Sequence, residues 1–153
     1  MWITGEAKQS VLGHTDPVTI YNWVDSDVFR PRKNNIKKKL NIEGKFMILM
    51  VAGNISYKKG YSEMVGIADA AKDDTAIVVV GKNKNKLPLP NNVIHIEHTV
   101  NAVELAEFYS AADVCVNTTR YETFGMVTAE SLSCGTPVII YNNTASPELV
   151  DKK

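Results

Sequence analysis

The sequence predicts an α/β domain built on a doubly wound parallel sheet, and three observations carry that expectation. Residues 46–52 form a continuous apolar run closed by Gly53, and residues 77–80 form another closed by Gly81. Strands that are apolar on both faces belong in the middle of a parallel sheet covered above and below, not in half-exposed hairpins. Between the two runs, Tyr61, Met64, Val65, Ala68 and Ala71 recur at helical spacing directly after Gly60, which gives an amphipathic crossover helix. Strand, helix, strand in that order is a right-handed βαβ unit.

The pattern then continues. Residues 93–96 make a short strand, and a helix begins near Asn101, which is placed to cap it, with Glu104 in the capping-box position and Leu105, Phe108, Tyr109 and Ala112 as the buried stripe. A strand at 114–116, a polar loop at 117–123, a helix from about 125 to 134 and a strand at 138–141 follow. Gly135 suits the position just past that helix, and Pro137 enters the last strand. Five strands alternating with helices put a ligand at the carboxyl ends of the strands. The first 45 residues differ: a partial helix over 1–12, a short strand at 18–21, a polar loop over 22–34 containing Pro31, and a short helix around Ile36 and Leu40.

Composition limits the function. With 153 residues, 44% of them apolar, the chain is one ordinary domain rather than a disordered, collagenous or disulfide-stapled one. Its 17 basic and 17 acidic residues cancel, removing the general attraction that nucleic acid or an anionic membrane would need. Residues 30–39 hold six basic residues and no acidic one, yet no aromatic residue interleaves with them, so they read as a solvated helix face. The lysines of 82–86 read as an exposed loop. The two cysteines, Cys115 and Cys134, lie in apolar stretches and are expected as free thiols in a reducing compartment, the cytoplasm. The start has no leader pattern, and the run at 46–52 is far short of the ~20 residues that cross a bilayer, so neither export nor a membrane span is expected.

Two segments bear chemistry. Gly53-Asn-Ile-Ser-Tyr-Lys-Lys-Gly60 joins the first central strand to its helix, where backbone N–H groups, the helix dipole and Lys58 with Lys59 favour an anion. It has neither the Walker nor the dinucleotide glycine spacing, and an ordinary tight turn with solvated lysines is the competing reading. The second segment runs from Thr118 to Glu130. Glu122 precedes a helix, and Glu130 lies within it beside Met126, Val127 and Cys134. No Lys, Arg or His occurs between Tyr121 and Asp151. A carboxylate on that semi-apolar stripe therefore turns to neutral hydroxyl donors such as a vicinal diol. The amides of residues 124–127 can hold a phosphate. On spacing alone, Glu122 reads equally as a helix-start carboxylate and Glu130 as a surface residue.

The string Glu122-Thr-Phe-Gly-Met-Val-Thr-Ala-Glu130, followed by Gly135-Thr-Pro-Val138 and Pro147-Glu148, resembles the signature of retaining glycosyltransferases of the GT-B fold, family 4. Other parts match in the same order. Tyr21-Asn-Trp-Val-Asp25 with Phe29 and Pro31 resembles the interdomain hinge, Lys59-Gly60 the donor-phosphate loop, and Tyr109-Ser-Ala-Ala-Asp-Val114 the strand entry before the motif. The resemblance runs from about Glu6 to Val150.

It implies a Rossmann-like C-terminal half of a GT-B enzyme, in which residues 1–31 are the remnant of an N-terminal domain and the hinge. Residues 32–153 would then be the nucleotide-sugar donor-binding domain, truncated at its C-terminus. By position, Glu122 contacts hydroxyls of the transferred sugar, Phe124 and Gly125 place backbone donors beside it, and the amides of Met126 and Val127 face the diphosphate. Lys59 neutralises the departing diphosphate, and Glu130 binds the ribose diol. His98 and Thr99 border the base. Asn54 stands where the family usually has an arginine, so either Arg120 or Lys58 compensates or phosphate binding is weaker. No metal or other cofactor is implied, since protein cations take the metal's place, and the three histidines are scattered. The partners implied are a nucleotide-sugar donor and an N-terminal acceptor domain, without which the chain is expected to be inactive. The full-length enzyme would be cytoplasmic, peripheral to the membrane, and serve polysaccharide assembly. Two other readings stand beside it: a non-catalytic nucleotide-sugar binding module, and a flavodoxin-like signalling or flavin domain, which fits the βα order but not the glutamate pair.

Overall fold

A computed structural model describes residues 1–150. Its centre is one five-stranded parallel sheet in the order β3-β2-β1-β4-β5. The strands are β1 (Phe46–Asn54), β2 (Thr75–Lys82), β3 (Val93–Ile96), β4 (Val114–Asn117) and β5 (Val138–Ile140). The helices are α1 (Trp2–Lys8), α2 (Ile36–Lys39), α3 (Tyr61–Ala70), α4 (Ala102–Ala111) and α5 (Met126–Ser133). This is the Rossmann-like α/β architecture that the two apolar runs predict.

The apolar runs are continuous because alternate residues serve opposite faces. Met47 and Leu49 of β1, Val78 and Val80 of β2 and Cys115 of β4 point to the side that carries Ile36, Phe108 and Tyr109. Met50, Ile77, Val79 and Val116 point to the side that carries Met64 and Ala68 of α3. α3 leads from β1 to its neighbour β2, whereas α4 carries the chain from β3 across to β4 on the far side of β1. The strand order therefore reverses between β1 and β4, and the crevice at their carboxyl ends is where such sheets bind ligands.

Two expectations are corrected. The strands do not all alternate with helices: residues 83–92 join β2 to β3 without one. Asn83 donates to the Leu87 carbonyl and accepts from the Leu87 N–H, and the Tyr61 hydroxyl donates to the Pro88 carbonyl at 2.6 Å. Leu87 and Leu89 then cover the α3 side as a helix would. Residues 18–21 are not a strand and pair with none of the five strands. Val18 and Ile20 are 82% and 90% exposed.

The basic stretch at 30–39 ends in α2, which buries Ile36 and leaves Lys38 and Lys39 in solvent. Lys37 donates to Asp113 at 2.6 Å. Burial works against the charge on Asp113, yet Lys37 and the Met47 N–H hold its pKa below the ordinary carboxylate value. Cys115 and Cys134 are buried free thiols. No helix among the described residues is long and apolar enough to cross a membrane.

Candidate functional site

β1 runs two residues past its apolar core and loses regular register with β2 between Val51 and Asn54. There the Asn54 side chain accepts from the Lys84 N–H at 3.1 Å, anchoring the loop after β2. The chain then makes a 3-10 turn, Tyr57–Lys59, and enters α3 through Gly60, whose φ is +79°. Gly60 is required twice over. Its φ favours glycine, and a Cβ there would lie 2.2 Å from Cβ of Thr118. Thr118, just beyond β4, donates its hydroxyl to the Lys59 carbonyl at 2.9 Å. The lysine loop is thus fastened across the crevice where the strand order reverses.

On the other wall, the loop from β4 to α5 is held from within and from behind. The Asn117 side-chain Oδ1 accepts from the Thr119 N–H, and the Asn143 side chain donates to the Arg120 backbone carbonyl. The Glu122 N–H donates to the Thr144 hydroxyl at 3.0 Å, and its carbonyl accepts from the Ala145 N–H. This frame presents the Glu122 side chain to Lys59, which donates from Nζ to Oε1 at 3.2 Å. The Glu122 side chain is 17% exposed and that of Lys59 44%. The two residues expected to act on the donor meet across the crevice.

Gly125, at φ +98°, turns the chain into α5, so the first amides of Met126 and Val127 open that helix without intrahelical acceptors. Phe124 packs on Tyr21, with ring centroids 5.9 Å apart. The Tyr21 hydroxyl and the Trp2 N–H both donate to Glu148, which ties the N-terminal segment to the 3-10 turn Ser146–Leu149 that follows β5.

Glu130 lies one turn further along α5, half-buried, and the Tyr109 hydroxyl donates to its Oε2 at 2.9 Å. Burial raises the Glu130 pKa above the ordinary carboxylate value, and the Tyr109 bond works against that rise. Sequence reasoning called for a neutral hydroxyl at this carboxylate but missed that the protein itself supplies one. The available signal was a tyrosine within an otherwise apolar helical stripe, since a buried phenol needs a partner for its hydroxyl.

His98 and Thr99 lie beyond the end of β3, beside Val51, Ala52, Gly53 and Gly81, around a cleft of about 310 Å³. A second cleft, of about 650 Å³, is lined by Lys58, Lys59, Arg120 and Tyr121. Arg120 does not turn toward Asn54. Its Nε and Nη2 both donate to Glu63 Oε1, at 2.9 and 2.6 Å, and its guanidinium lies over the Tyr141 ring. Arg120, aided by the Tyr141 hydroxyl, holds the Glu63 pKa below the ordinary carboxylate value. Among the described residues, no three His, Cys, Asp or Glu side chains converge on a point that could hold a metal ion.

Residues 32–153 match the family described as glycosyl transferases group 1. The chain belongs to this family. The group 1 chain is 27% identical over 158 residues to the GDP-mannose-dependent alpha-(1-6)-phosphatidylinositol dimannoside mannosyltransferase of Mycobacterium tuberculosis, with 96% of the chain and 42% of that enzyme covered. It is 30% identical over 158 residues to the D-inositol 3-phosphate glycosyltransferase of Thermobispora bispora, with 87% and 37% covered. It therefore spans about two fifths of the length of these relatives. Its fold is that of Anabaena HepE, solved with UDP and glucose, at a TM-score of 0.74 and 20% identity over 86% of the chain and 40% of that protein. It also resembles the C-terminal domain of the group 1 glycosyl transferase LpcC from Francisella tularensis, at a TM-score of 0.67 and 25% identity over 85% of the chain and 76% of that domain.

Proposed function

We propose that this chain is the donor-binding, C-terminal half of a retaining family 4 glycosyltransferase of GT-B fold. The whole enzyme would transfer a sugar from a nucleotide-diphosphate donor to a saccharide or lipid-linked acceptor in cell-surface polysaccharide biosynthesis. The observation that carries this reading is the Lys59–Glu122 pair, 3.2 Å apart across the reversal of strand order, with α5 opening at Met126 shortly after Glu122 in the chain. A cation and a carboxylate in contact, followed by the opening amides of a helix, suit a sugar joined to a diphosphate.

In this reading the donor exchanges with the ion pair. Sugar hydroxyls donate to Glu122, and Lys59 turns to the diphosphate, where negative charge grows as the sugar–phosphate bond breaks. The amides of Met126 and Val127 share that charge, with Phe124 and Gly125 beside the sugar. The ribose meets Glu130, and the base occupies the cleft by His98 and Thr99. Lys59 and the amides do the work for which other transferases use a metal, so no cofactor is required. Residues 1–31 belong to the hinge and an N-terminal acceptor domain. The family match beginning at residue 32 and the exposed Val18, Ile20 and Trp23 support that division. Without that domain the chain transfers no sugar, because water is not excluded from the crevice. In the cell the enzyme works on the cytoplasmic face of the membrane.

In the full-length enzyme, Lys59→Ala and Glu122→Ala should each cut kcat/KM by roughly 100-fold or more, with product anomers of retained configuration. Full activity in both variants, or an inverted product, refutes the reading. One observation favours a non-catalytic nucleotide-sugar binding module instead: Asn54 brings no positive charge to the phosphates, and its side chain is engaged with Lys84. A full-length protein that binds a nucleoside diphosphate through Lys59 yet turns over no sugar would establish it.

A further inference from the structure

Tyr109 is fully buried at 0% exposure, and everything about it is fixed except the use of its hydroxyl. Its ring stands edge-on to Phe29, with centroids 6.2 Å apart. Its carbonyl accepts from the Thr136 hydroxyl at 2.6 Å. Phenylalanine would fill the same space, as Phe108 does next to it. Burying a phenol in place of a phenyl ring carries a desolvation cost that only a well-placed acceptor offsets. That acceptor is Glu130 Oε2. The bond engages one oxygen and leaves the acceptor capacity of Oε1 free.

The other titratable groups that feel the Glu130 charge are Cys115 on β4 and Cys134 at the end of α5. Burial raises the pKa of both thiols, that of Cys115 to about 12. Both are neutral near pH 7, so neither fixes a carboxylate as a counter-ion would. Tyr109 also follows Leu105 by one helical turn on the same face of α4, and Leu105 lines the cleft with His98 and Thr99. The tyrosine thus connects the wall of that cleft to the carboxylate.

We propose that Tyr109 is a positioning residue of the donor site, its hydroxyl holding the Glu130 carboxylate in the orientation that receives the hydroxyls of a nucleotide ribose. The proposal rests on the reading of Glu130 as the ribose ligand. A carboxylate on a flexible side chain would otherwise turn toward solvent to recover hydration. Tethered by one oxygen, it stays half-buried and presents the other without further loss of rotamer entropy when the nucleotide arrives.

The test uses the 153-residue chain with carbon-13 in its glutamate carboxyl groups. Tyr109→Phe should raise the apparent pKa of Glu130, and replacing Tyr109 by 3-fluorotyrosine, a stronger donor of the same shape, should lower it. The second replacement keeps the packing and decides the matter should the first not fold. A Glu130 titration that neither replacement moves overturns the proposal. Calorimetry then compares UDP and GDP with their 2′,3′-dideoxy forms. The wild-type chain should prefer the ribose form by about tenfold, near the worth of one hydrogen bond to a charged group. Tyr109→Phe should erase most of that preference and leave the dideoxy affinity unchanged. A preference that survives Tyr109→Phe overturns the positioning role alone. A wild-type chain with no preference, or with no binding of either form, overturns the ribose reading of Glu130 and the proposal with it, before any variant is made.

Discussion

Glu122 and Glu130 flank the opening of the same short helix, yet the protein satisfies them by opposite means. Glu122 sits on a loop held by backbone hydrogen bonds and faces a lysine brought from the far wall of the crevice. Glu130 sits inside the helix, half-buried, and receives a neutral hydroxyl from α4. A salt bridge that is part solvated is weak and exchangeable, so a ligand can separate Glu122 from Lys59 at small cost. A hydroxyl bond to a desolvated carboxylate holds position without cancelling charge. One carboxylate is therefore suited to changing partners during a reaction, and the other to staying still.

The largest effect expected from breaking this contrast comes from Gly60→Ala. The added Cβ meets Thr118 at 2.2 Å in a backbone conformation that alanine resists, and the chain should lose roughly 3 kcal/mol or more. The loss would be read as a drop in the urea midpoint. Chemical shifts around Lys59 and Glu122 should move while those of Tyr109 and Glu130 stay. Equal disturbance at both carboxylates would mean that the two regions are one mechanical unit.

A smaller effect separates the carboxylates by pH. The folded-state pKa of Glu130 is raised, so between its unfolded value and that raised value the native chain binds more protons, and the stability Glu130 contributes falls as pH rises. Glu63, whose folded-state pKa is lowered by Arg120, acts the other way: its contribution is present above the unfolded value and lost as pH falls through the folded one. Glu130→Gln should therefore gain stability relative to wild type on going from pH 4 to pH 7, and Glu63→Gln should lose it. Thermal midpoints at the two pH values check both signs.

The smallest effect tests whether the Lys59–Glu122 pair is structural at all. Lys59→Met should change stability by less than about 1 kcal/mol, and by less still at 1 M salt. A large loss of stability would make the pair a buttress rather than an exchangeable contact.

The sheet was legible in the sequence because a strand covered on both faces leaves an unbroken apolar run, as residues 46–52 and 77–80 do. Residues 18–21 have a similar local composition and form no strand, since pairing depends on a free sheet edge that local sequence does not report. The loop at 83–92 was likewise opaque, because Leu87 and Leu89 cover the sheet without helical spacing. Candidate site residues could be proposed from their order along the chain, but their pairings could not. Lys59 with Glu122, Thr118 with Gly60, and Arg120 with Glu63 join segments more than fifty residues apart. The Arg120 guanidinium is paired with Glu63 and lies over Tyr141, a long-range contact that spacing along the chain does not report.

The two buried cysteines give the chain a built-in clock. The nucleophile toward disulfide reagents is the thiolate, and burial with a pKa of about 12 leaves Cys115 almost none of it at neutral pH. Cys134, only 3% exposed, is shielded by enclosure. A thiol reagent added to native protein must therefore wait for the molecule to open, and the colour it develops measures how often that happens. Cys115 on β4 reports opening of the sheet, and Cys134 reports detachment of the end of α5. Resolving the two by mass would time the opening of β4 and the detachment of α5 separately without attaching a probe to either.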